Sequence, residues 1–142
     1  MPKHRKYNEE AMRHKVIYIE DNASNLKLVT QILGRRPDIE MLAAATPEQG
    51  IALALANCPD LILVDINMPG MDGYQVLDIL KRESKLENVP VIAVTANAMP
   101  RDVERGMASG FAEYLTKPLD IDRFMKTIDR HLNDGLKQGH SR

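Results

Sequence analysis

Residues 61–73 read LILVDINMPGMDG, and this stretch decides how the rest of the chain is interpreted. Four apolar residues lead directly into a carboxylate, Asp65, and a turn with one proline and two glycines follows. Short apolar runs without polar alternation are typical of strands buried on both faces of a parallel sheet. The stretch therefore predicts a buried strand that ends on a carboxylate, followed by a tight loop.

Similar apolar runs recur along the chain, with helical patterns between them. They are VIYI at 16–19, MLAAA at 41–45, VIAV at 91–94 and the weaker AEYLT at 112–116. Thr46 is predicted to cap a helix that has Pro47 at its first position and Gln49 completing a capping box. Gly110 is predicted to end a helix, and Asp120 to cap the last one. Five alternations of strand and helix predict an α/β domain whose parallel sheet is covered on both faces.

Length and composition fit one domain. The chain has 142 residues, of which 44% are hydrophobic, enough for a sizeable core. Lys and Arg number 19 against 20 Asp and Glu, and the formal net charge of -1 is no footprint of nucleic-acid binding. No apolar run reaches the ~18 residues of a membrane span, and the charged N-terminal segment is no secretory signal. Cys58, the one cysteine, excludes an internal disulfide, fits a reducing cytoplasm and is predicted to be a small buried residue.

The domain boundaries follow from where the periodic patterns stop. We expect a single domain at residues 14–133, with flexible tails at 1–13 and 134–142. Only ten residues follow Leu132, so no attached output domain is expected.

Polar side chains follow four of the predicted strands. They are Glu20 with Asp21, Asp65, Thr95, and Thr116-Lys117-Pro118. In an open parallel sheet the carboxyl ends of the strands form the ligand-binding edge, so these sequence-distant groups should meet. Any single acid after a strand is usually a helix cap or a turn residue. An acid pair, an acid, a hydroxyl and a lysine in this order form a joint pattern that points to one site.

This set of groups suits phosphoryl chemistry. Three carboxylates in one place repel each other unless a cation neutralises them. A hard divalent ion with oxygen ligands fits, and Mg²⁺ typically uses one or two carboxylates together with a phosphate. Lys117 would add a fixed positive charge and Thr95 a hydroxyl donor for the oxygens of a phosphoryl group. Asp65 is then a candidate nucleophile that carries an aspartyl-phosphate.

As a set, the motifs VIYIEDN, LILVDINMPGMDG, VIAVTANA and YLTKP resemble the receiver domain of two-component response regulators. The resemblance covers about residues 14–133, nearly the whole chain. It implies a flavodoxin-like (βα)5 three-layer sandwich with a parallel five-stranded sheet in the order 2-1-3-4-5.

The resemblance also implies an acceptor and metal site. By it, Asp65 is the phosphoacceptor, Asp21 is a direct ligand of Mg²⁺ (or Mn²⁺), and Glu20 acts through water. Asn67 matches the position whose backbone carbonyl binds the metal, and Asn67 and Asn97 match positions that tune the phosphoryl lifetime. Many members have two aspartates where this chain has Glu20 and Asp21, a departure expected to alter the water network and not the chemistry.

A second group of residues matches the switch of the family. Thr95 matches the hydroxyl that swings to the phosphoryl group, and Lys117 the lysine that bonds it. Tyr114 matches the aromatic residue that turns inward on activation. The peptide bond between Lys117 and Pro118 is usually cis in the family, a geometry that only proline makes tolerable.

The implied function is that of a phosphoacceptor in a two-component phosphorelay. A sensor histidine kinase or a histidine phosphotransfer protein donates to Asp65, and the surface of the fourth helix, fifth strand and fifth helix then switches to bind a downstream protein. The chain would be no enzyme beyond self-catalysed phosphoryl transfer and slow autodephosphorylation. We expect a cytoplasmic protein, either monomeric or dimeric in a phosphorylation-linked way.

Other interpretations are weaker. A haloacid-dehalogenase-like phosphatase needs a second aspartate as general acid two residues after the nucleophile, where this chain has Asn67. A nucleotide-binding module lacks its glycine-rich motifs here. A degenerate receiver that only docks is disfavoured because all the site residues are present. A free-standing receiver and the receiver of a hybrid histidine kinase, which relays phosphate onward, both stay open.

Overall fold

The computed structural model describes residues 13–96 and 99–140 of the chain. Within these residues, five strands alternate with five helices. In chain order they are β1 (His14–Ile19), α1 (Ala23–Leu33), β2 (Ile39–Ala44), α2 (Pro47–Asn57), β3 (Leu61–Asp65), α3 (Gly73–Arg82), β4 (Val91–Thr95), α4 (Pro100–Ser109), β5 (Glu113–Thr116) and α5 (Ile121–His140). All the strands are parallel, in the order β2-β1-β3-β4-β5. The predicted flavodoxin-like topology is confirmed.

The sheet separates two hydrophobic cores. Because successive side chains of a strand point to opposite faces, Ile17 and Ile62 lie in one core while Val16 and Leu63 lie in the other. The first core is covered by residues of α2 and α3, and the second by residues of α1 and α5. Every residue of β3 and β4 is buried, which explains their uninterrupted apolar sequences.

The strand register brings the predicted site residues to one edge. Ile19 pairs with Val64, so Glu20 and Asp65, which follow them, emerge next to each other. On the other side of β3, Asp65 pairs with Val94, directly before Thr95. Thr95 in turn pairs with Thr116, which precedes Lys117. The carboxyl edge of the sheet therefore collects the acids, the hydroxyl and the lysine.

Local capping interactions fix the helices beside this edge. Thr46 caps α2 by accepting the Gln49 N–H, but the Gln49 side chain accepts the N–H of Ala45 and not that of Thr46, so the predicted capping box is shifted by one residue. Asp120 accepts the N–H of Arg123 as predicted. Helix α3 begins with a complete capping box that was not predicted: Asp72 accepts the N–H of Gln75, and the Gln75 side chain accepts the N–H of Asp72.

Three predicted details differ from the structure. Strand β2 begins two residues early, at Ile39, because its pairing with His14 extends the sheet beyond the apolar run. Cys58 is exposed and not buried, because it ends α2 in the left-handed conformation, with φ of 48°. Helix α5 continues through residues 134–140, which were predicted as tail. That segment contains no proline, and glycine weakens a helix without ending it.

None of the described helices is long and apolar enough to span a membrane.

Candidate functional site

The site lies where β1, β3, β4 and β5 end. Glu20 directly follows β1, Asp65 ends β3, Thr95 ends β4, and Lys117 directly follows β5. The Glu20, Asp65 and Thr95 side chains are almost fully buried, whereas Asp21 is exposed. Buried polar groups need hydrogen-bonding partners, so the contacts of these side chains determine what the site can do.

Glu20 accepts hydrogen bonds from four groups of the chain. One oxygen, Oε1, accepts from the Tyr18 hydroxyl at 3.1 Å, the Asn25 side-chain amide at 3.0 Å and Lys117 Nζ at 2.6 Å. The other, Oε2, accepts the N–H of Asn22 at 3.4 Å. Burial opposes ionisation, but hydrogen bonds with Asp65 and Lys117, together with the lysine charge, outweigh it and lower the pKa of Glu20 to about 2. Glu20 is therefore held as a carboxylate.

Asp65 is equally buried, with 4% of its surface exposed, but it has fewer donors. Its Oδ1 accepts the N–H of Asn67 at 3.1 Å, and Lys117 Nζ lies 3.3 Å from Oδ2. Burial, a hydrogen bond with Glu20 and the negative charge of Glu20 raise the pKa of Asp65 to about 6, against the opposing effects of Asn67 and Lys117. These surroundings favour protonation of Asp65 over protonation of Glu20.

Lys117 is the cation that the two carboxylates share. Burial lowers the pKa of its ammonium, but the hydrogen bond to Glu20 and the charges of Asp65 and Glu20 outweigh this and raise it. Its backbone N–H donates to the Thr95 carbonyl at 2.7 Å, which fixes β5 against β4 beyond the sheet register. The peptide bond between Lys117 and Pro118 is cis, the geometry that the family resemblance implies.

Thr95, Asn67 and Tyr114 form the side of the site away from Glu20. The Asn67 side-chain amide donates to Thr95 Oγ1 at 3.2 Å, so Asn67 touches both Asp65 and Thr95. Tyr114 is buried, with 7% of its surface exposed. Burial raises the pKa of its hydroxyl, and a hydrogen bond with Thr95 opposes that rise. The residue predicted to turn inward on activation is thus already inside and in contact with Thr95.

A glycine of α4 makes room for this tyrosine. A Cβ atom on Gly106 would lie 2.6 Å from Cδ2 of Tyr114, closer than side chains tolerate. The neighbouring Tyr74 stacks edge-on against Phe111, with ring centroids 5.6 Å apart, and Arg105 lies 4.0 Å above the Tyr74 ring. Aromatic packing therefore connects α3, α4 and the strand that carries Tyr114.

The acids are placed well for a divalent cation. Among the described residues, Glu20, Asp21 and Asp65 each offer a carboxylate oxygen, and these oxygens lie within 4.8 Å of one another. Hard oxygen ligands of this kind suit Mg²⁺, and one lysine does not balance three carboxylates. The donor set therefore fits the predicted ion.

Asn97, predicted to tune the phosphoryl lifetime, lies outside the described residues, as does the N-terminal segment 1–12.

Sequence reasoning missed two partners of Glu20. Tyr18 was counted only as a member of an apolar run, and Asn25 only as part of a helix. A usable signal was present, because residues two apart on a strand share a face, which places the Tyr18 hydroxyl on the same side as Glu20. The hydrogen bond from the Asn25 side chain to Glu20 depends on where α1 starts. The periodicity of strands and helices does not predict it.

The chain is similar to known proteins over most of its length. Residues 16–129 match the family model described as response regulator receiver domain. The polar-differentiation response regulators DivK of Brucella ovis and Brucella melitensis are each 37% identical to this chain over 123 residues, which cover 87% of this chain and 99% of theirs.

Solved structures share the fold of this chain. The chemotaxis response regulator CheY4 of Vibrio cholerae has a TM-score of 0.78 and 27% identity, over 84% of this chain and 98% of its own. The receiver domain of a sensor histidine kinase from Pseudomonas aeruginosa PAO1 has a TM-score of 0.77 and 27% identity, over 85% of this chain and 98% of its own. That structure has a magnesium ion coordinated in its active site cleft.

Proposed function

The chain belongs to the response regulator receiver domain family of two-component signalling, and from this premise we propose that Asp65 accepts a phosphoryl group from a phosphohistidine of a partner protein. The observation that carries the proposal is the placement of Asp65. It is a buried carboxylate at the end of β3, with Lys117 Nζ 3.3 Å away and two further acids within ligand distance of one cation. Its few hydrogen bonds leave acceptor capacity for chemistry.

In the proposed transfer, a carboxylate oxygen of Asp65 forms a bond to phosphorus while the phosphorus–nitrogen bond of the donor breaks. The electron pair of that bond stays on the imidazole nitrogen of the donor, and the imidazole takes up a proton from solvent. Lys117 offsets negative charge beside Asp65, and the Thr95 hydroxyl, whose oxygen accepts from Asn67, is a donor for a phosphoryl oxygen. When bound at Glu20, Asp21 and Asp65, with the Asn67 carbonyl as a further ligand, Mg²⁺ (or Mn²⁺) supplies charge neutralisation for the phosphoryl oxygens.

Phosphorylation would replace the single negative charge of the Asp65 carboxylate with a phosphoryl group that carries about -1.5 to -2. Lys117 and Thr95 turn toward that charge, and Tyr114 adjusts because it contacts Thr95. The change reaches the α4-β5-α5 surface as a population shift between two states. Moving the active state from about 1% to 99% needs roughly 5.5 kcal/mol, which a few charge-assisted hydrogen bonds of about 1.5–3 kcal/mol each can supply.

The partners follow from this role. The donor is a sensor histidine kinase or a histidine phosphotransfer protein, and the α4-β5-α5 surface binds a downstream protein. Relatives of both contexts exist, since DivK is named a response regulator and the Pseudomonas receiver belongs to a histidine kinase. The phosphorylated chain would either signal by docking to its target or pass the phosphoryl group on to a second histidine. In either case, the chain acts in the cytoplasm and turns over no substrate beyond its own phosphorylation and slow dephosphorylation.

The direct test is phosphorylation by acetyl phosphate. The protein is incubated with and without Mg²⁺, and its intact mass is recorded before and after treatment with hydroxylamine, which cleaves acyl phosphates. We expect a Mg²⁺-dependent gain of one phosphoryl group that hydroxylamine removes. Asp65→Asn should abolish the gain, because an amide oxygen is a poor nucleophile and carries no charge for the metal.

A matched control is Asp122→Asn, which removes an exposed aspartate from the first turn of α5 and should phosphorylate like the wild type. Stoichiometric labelling of the Asp65→Asn protein, or a label that resists hydroxylamine, would show that Asp65 is not the acceptor. Transfer from a purified phosphotransfer protein to the receiver, and back, would then separate relay from one-way signalling.

A further inference from the structure

Glu20 is bonded asymmetrically, and the asymmetry has a consequence for the site. Its Oε1 accepts three donors, from Tyr18, Asn25 and Lys117, at 3.1, 3.0 and 2.6 Å. Its Oε2 accepts a single long contact, the Asn22 N–H at 3.4 Å. A carboxylate oxygen has about two lone-pair sites, so Oε1 is saturated while Oε2 keeps acceptor capacity. Oε2 is therefore the Glu20 oxygen with room for a further donor, such as a metal-bound water.

One of the three donors to Oε1, Lys117, also interacts with Asp65. Lys117 also lies 3.3 Å from Asp65 Oδ2, and the proposed function requires it to turn to the phosphoryl group on Asp65. Glu20 is fully buried, so a carboxylate that lost all its donors at that moment would be costly. Tyr18 and Asn25 have no such second role among the described contacts and can stay.

Tyr18 is unusual because its hydroxyl is the polar side-chain atom of the buried segment VIYI, residues 16–19 of β1. The side chain is fully buried in the core shared by β1, α1 and α5, and its ring packs there like the neighbouring apolar residues. Its hydroxyl donates to Glu20, and phenylalanine would fill the same space without this donor. The hydroxyl is thus separable from the packing, which makes its role testable.

We propose that Tyr18 is a positioning residue of the phosphorylation site: its hydroxyl, with the Asn25 amide, holds Oε1 of Glu20 so that Oε2 faces the cation and Lys117 is free to move to the phosphoryl group. The inference rests on the proposed function. Without Tyr18, Glu20 depends more on Lys117 and its orientation loosens, so both cation binding and phosphorylation weaken. Groups that orient a metal ligand in this way typically contribute 10–100-fold to metal affinity.

The test compares Tyr18→Phe with wild type in two measurements. The first is Mg²⁺ affinity of the unphosphorylated protein, followed by amide NMR shifts during a Mg²⁺ titration, and the second is the rate of phosphorylation by acetyl phosphate at saturating Mg²⁺. We expect the Mg²⁺ dissociation constant to rise about tenfold and the rate to fall. Tyr74→Phe, which removes a tyrosine hydroxyl on α3, should leave the Mg²⁺ affinity within about twofold of wild type.

Three controls make the outcomes distinct. Circular dichroism determines whether Tyr18→Phe is folded. If it is not folded, Asn25→Ala replaces it as the test variant. This change at the half-buried start of α1 is expected to weaken Mg²⁺ binding in the same direction. If wild type is phosphorylated but the Tyr18 and Asn25 variants match its Mg²⁺ affinity and rate, the positioning role is refuted. If wild type is not phosphorylated at all, the proposed function fails, and the Mg²⁺ titration still decides whether Tyr18 orients Glu20.

Discussion

The ends of β1 and β3 carry two carboxylates that are buried to the same degree and behave in opposite ways. The pKa of Glu20 is lowered to about 2, and that of Asp65 is raised to about 6. Burial favours the neutral acid at both places, so burial does not explain the difference. Glu20 receives hydrogen bonds from four groups of the chain, whereas Asp65 receives the N–H of Asn67 and a more distant ammonium. The hydrogen bonds with Asp65 and Lys117 and the lysine charge keep Glu20 ionised, and the charge of Glu20 in turn favours the protonated form of Asp65.

Lys117 also lies closer to Glu20 than to Asp65. Its Nζ lies 2.6 Å from Glu20 and 3.3 Å from Asp65, so the shared cation favours the acid that is already well bonded. Asp65 is left with a weak hold on the lysine and with free lone pairs. A nucleophile has to be accessible to its partner, and a metal ligand has to be oriented, so the division matches the roles proposed for the two residues.

The largest expected effect comes from removing the shared cation. Lys117→Met leaves two buried carboxylates side by side, and breaking a buried ion pair in this way costs about 3–5 kcal/mol. We expect a loss of this size at pH 8 without Mg²⁺, measured by urea unfolding. At pH 5 the loss should shrink, because Asp65 can then take up a proton and relieve the repulsion.

Lys85→Met is the matched control, since it removes an exposed lysine and should change the free energy of unfolding by less than about 0.5 kcal/mol. Adding Asp65→Asn to Lys117→Met should recover part of the loss, because one of the two repelling charges is gone. If Lys117→Met were as stable as wild type at both pH values, the lysine would not hold the acid pair together.

A second prediction concerns the pH dependence of stability in metal-free protein. Because the pKa of Asp65 is higher in the folded state, the folded state binds its proton more tightly, and this group's contribution to stability falls as pH rises from about 4 to about 6. Glu20 has the opposite sign, and its contribution is lost as pH falls from about 4.5 to about 2. Asp65→Asn removes the first effect and should stabilise the metal-free protein by about 3 kcal/mol at pH 8 and by little at pH 4.

Urea unfolding at a series of pH values with a chelator present measures this difference. Glu87→Gln, a neutralised exposed acid, should follow the wild-type curve. A constant offset between Asp65→Asn and wild type at all pH values would mean that Asp65 keeps an ordinary pKa in the fold. Mg²⁺ at saturation should stabilise the wild type more than Asp65→Asn, since the variant lacks one ligand charge.

The fold and the position of the site could be predicted from the sequence because both depend on periodic signals. Apolar runs such as residues 61–64 identify strands buried on both faces, and parallel pairing then brings their carboxyl ends together. What could not be predicted depends on side-chain reach. The bonds from Tyr18 and Asn25 to Glu20 require the exact start of α1, and the exposure of Cys58 requires the left-handed end of α2. The sequence also did not indicate that Tyr114 lies inside and contacts Thr95.

The smallest expected effect is the change in the pKa of Asp65 when Glu20 is neutralised. It tests directly how Glu20 and Asp65 influence each other. Burial is the largest cause of the raised pKa of Asp65, and the charge and hydrogen bond of Glu20 come after it. Glu20→Gln removes that charge and leaves Lys117 to Asp65, so the pKa of Asp65 should fall by about one unit yet stay above its ordinary value. A pH titration of the Asp65 carboxyl ¹³C resonance in metal-free protein measures it, with Glu87→Gln as the variant expected to leave it near 6. An unchanged pKa in Glu20→Gln would mean that burial alone sets the protonation of Asp65, and a full return to the ordinary value would mean that Glu20 alone does.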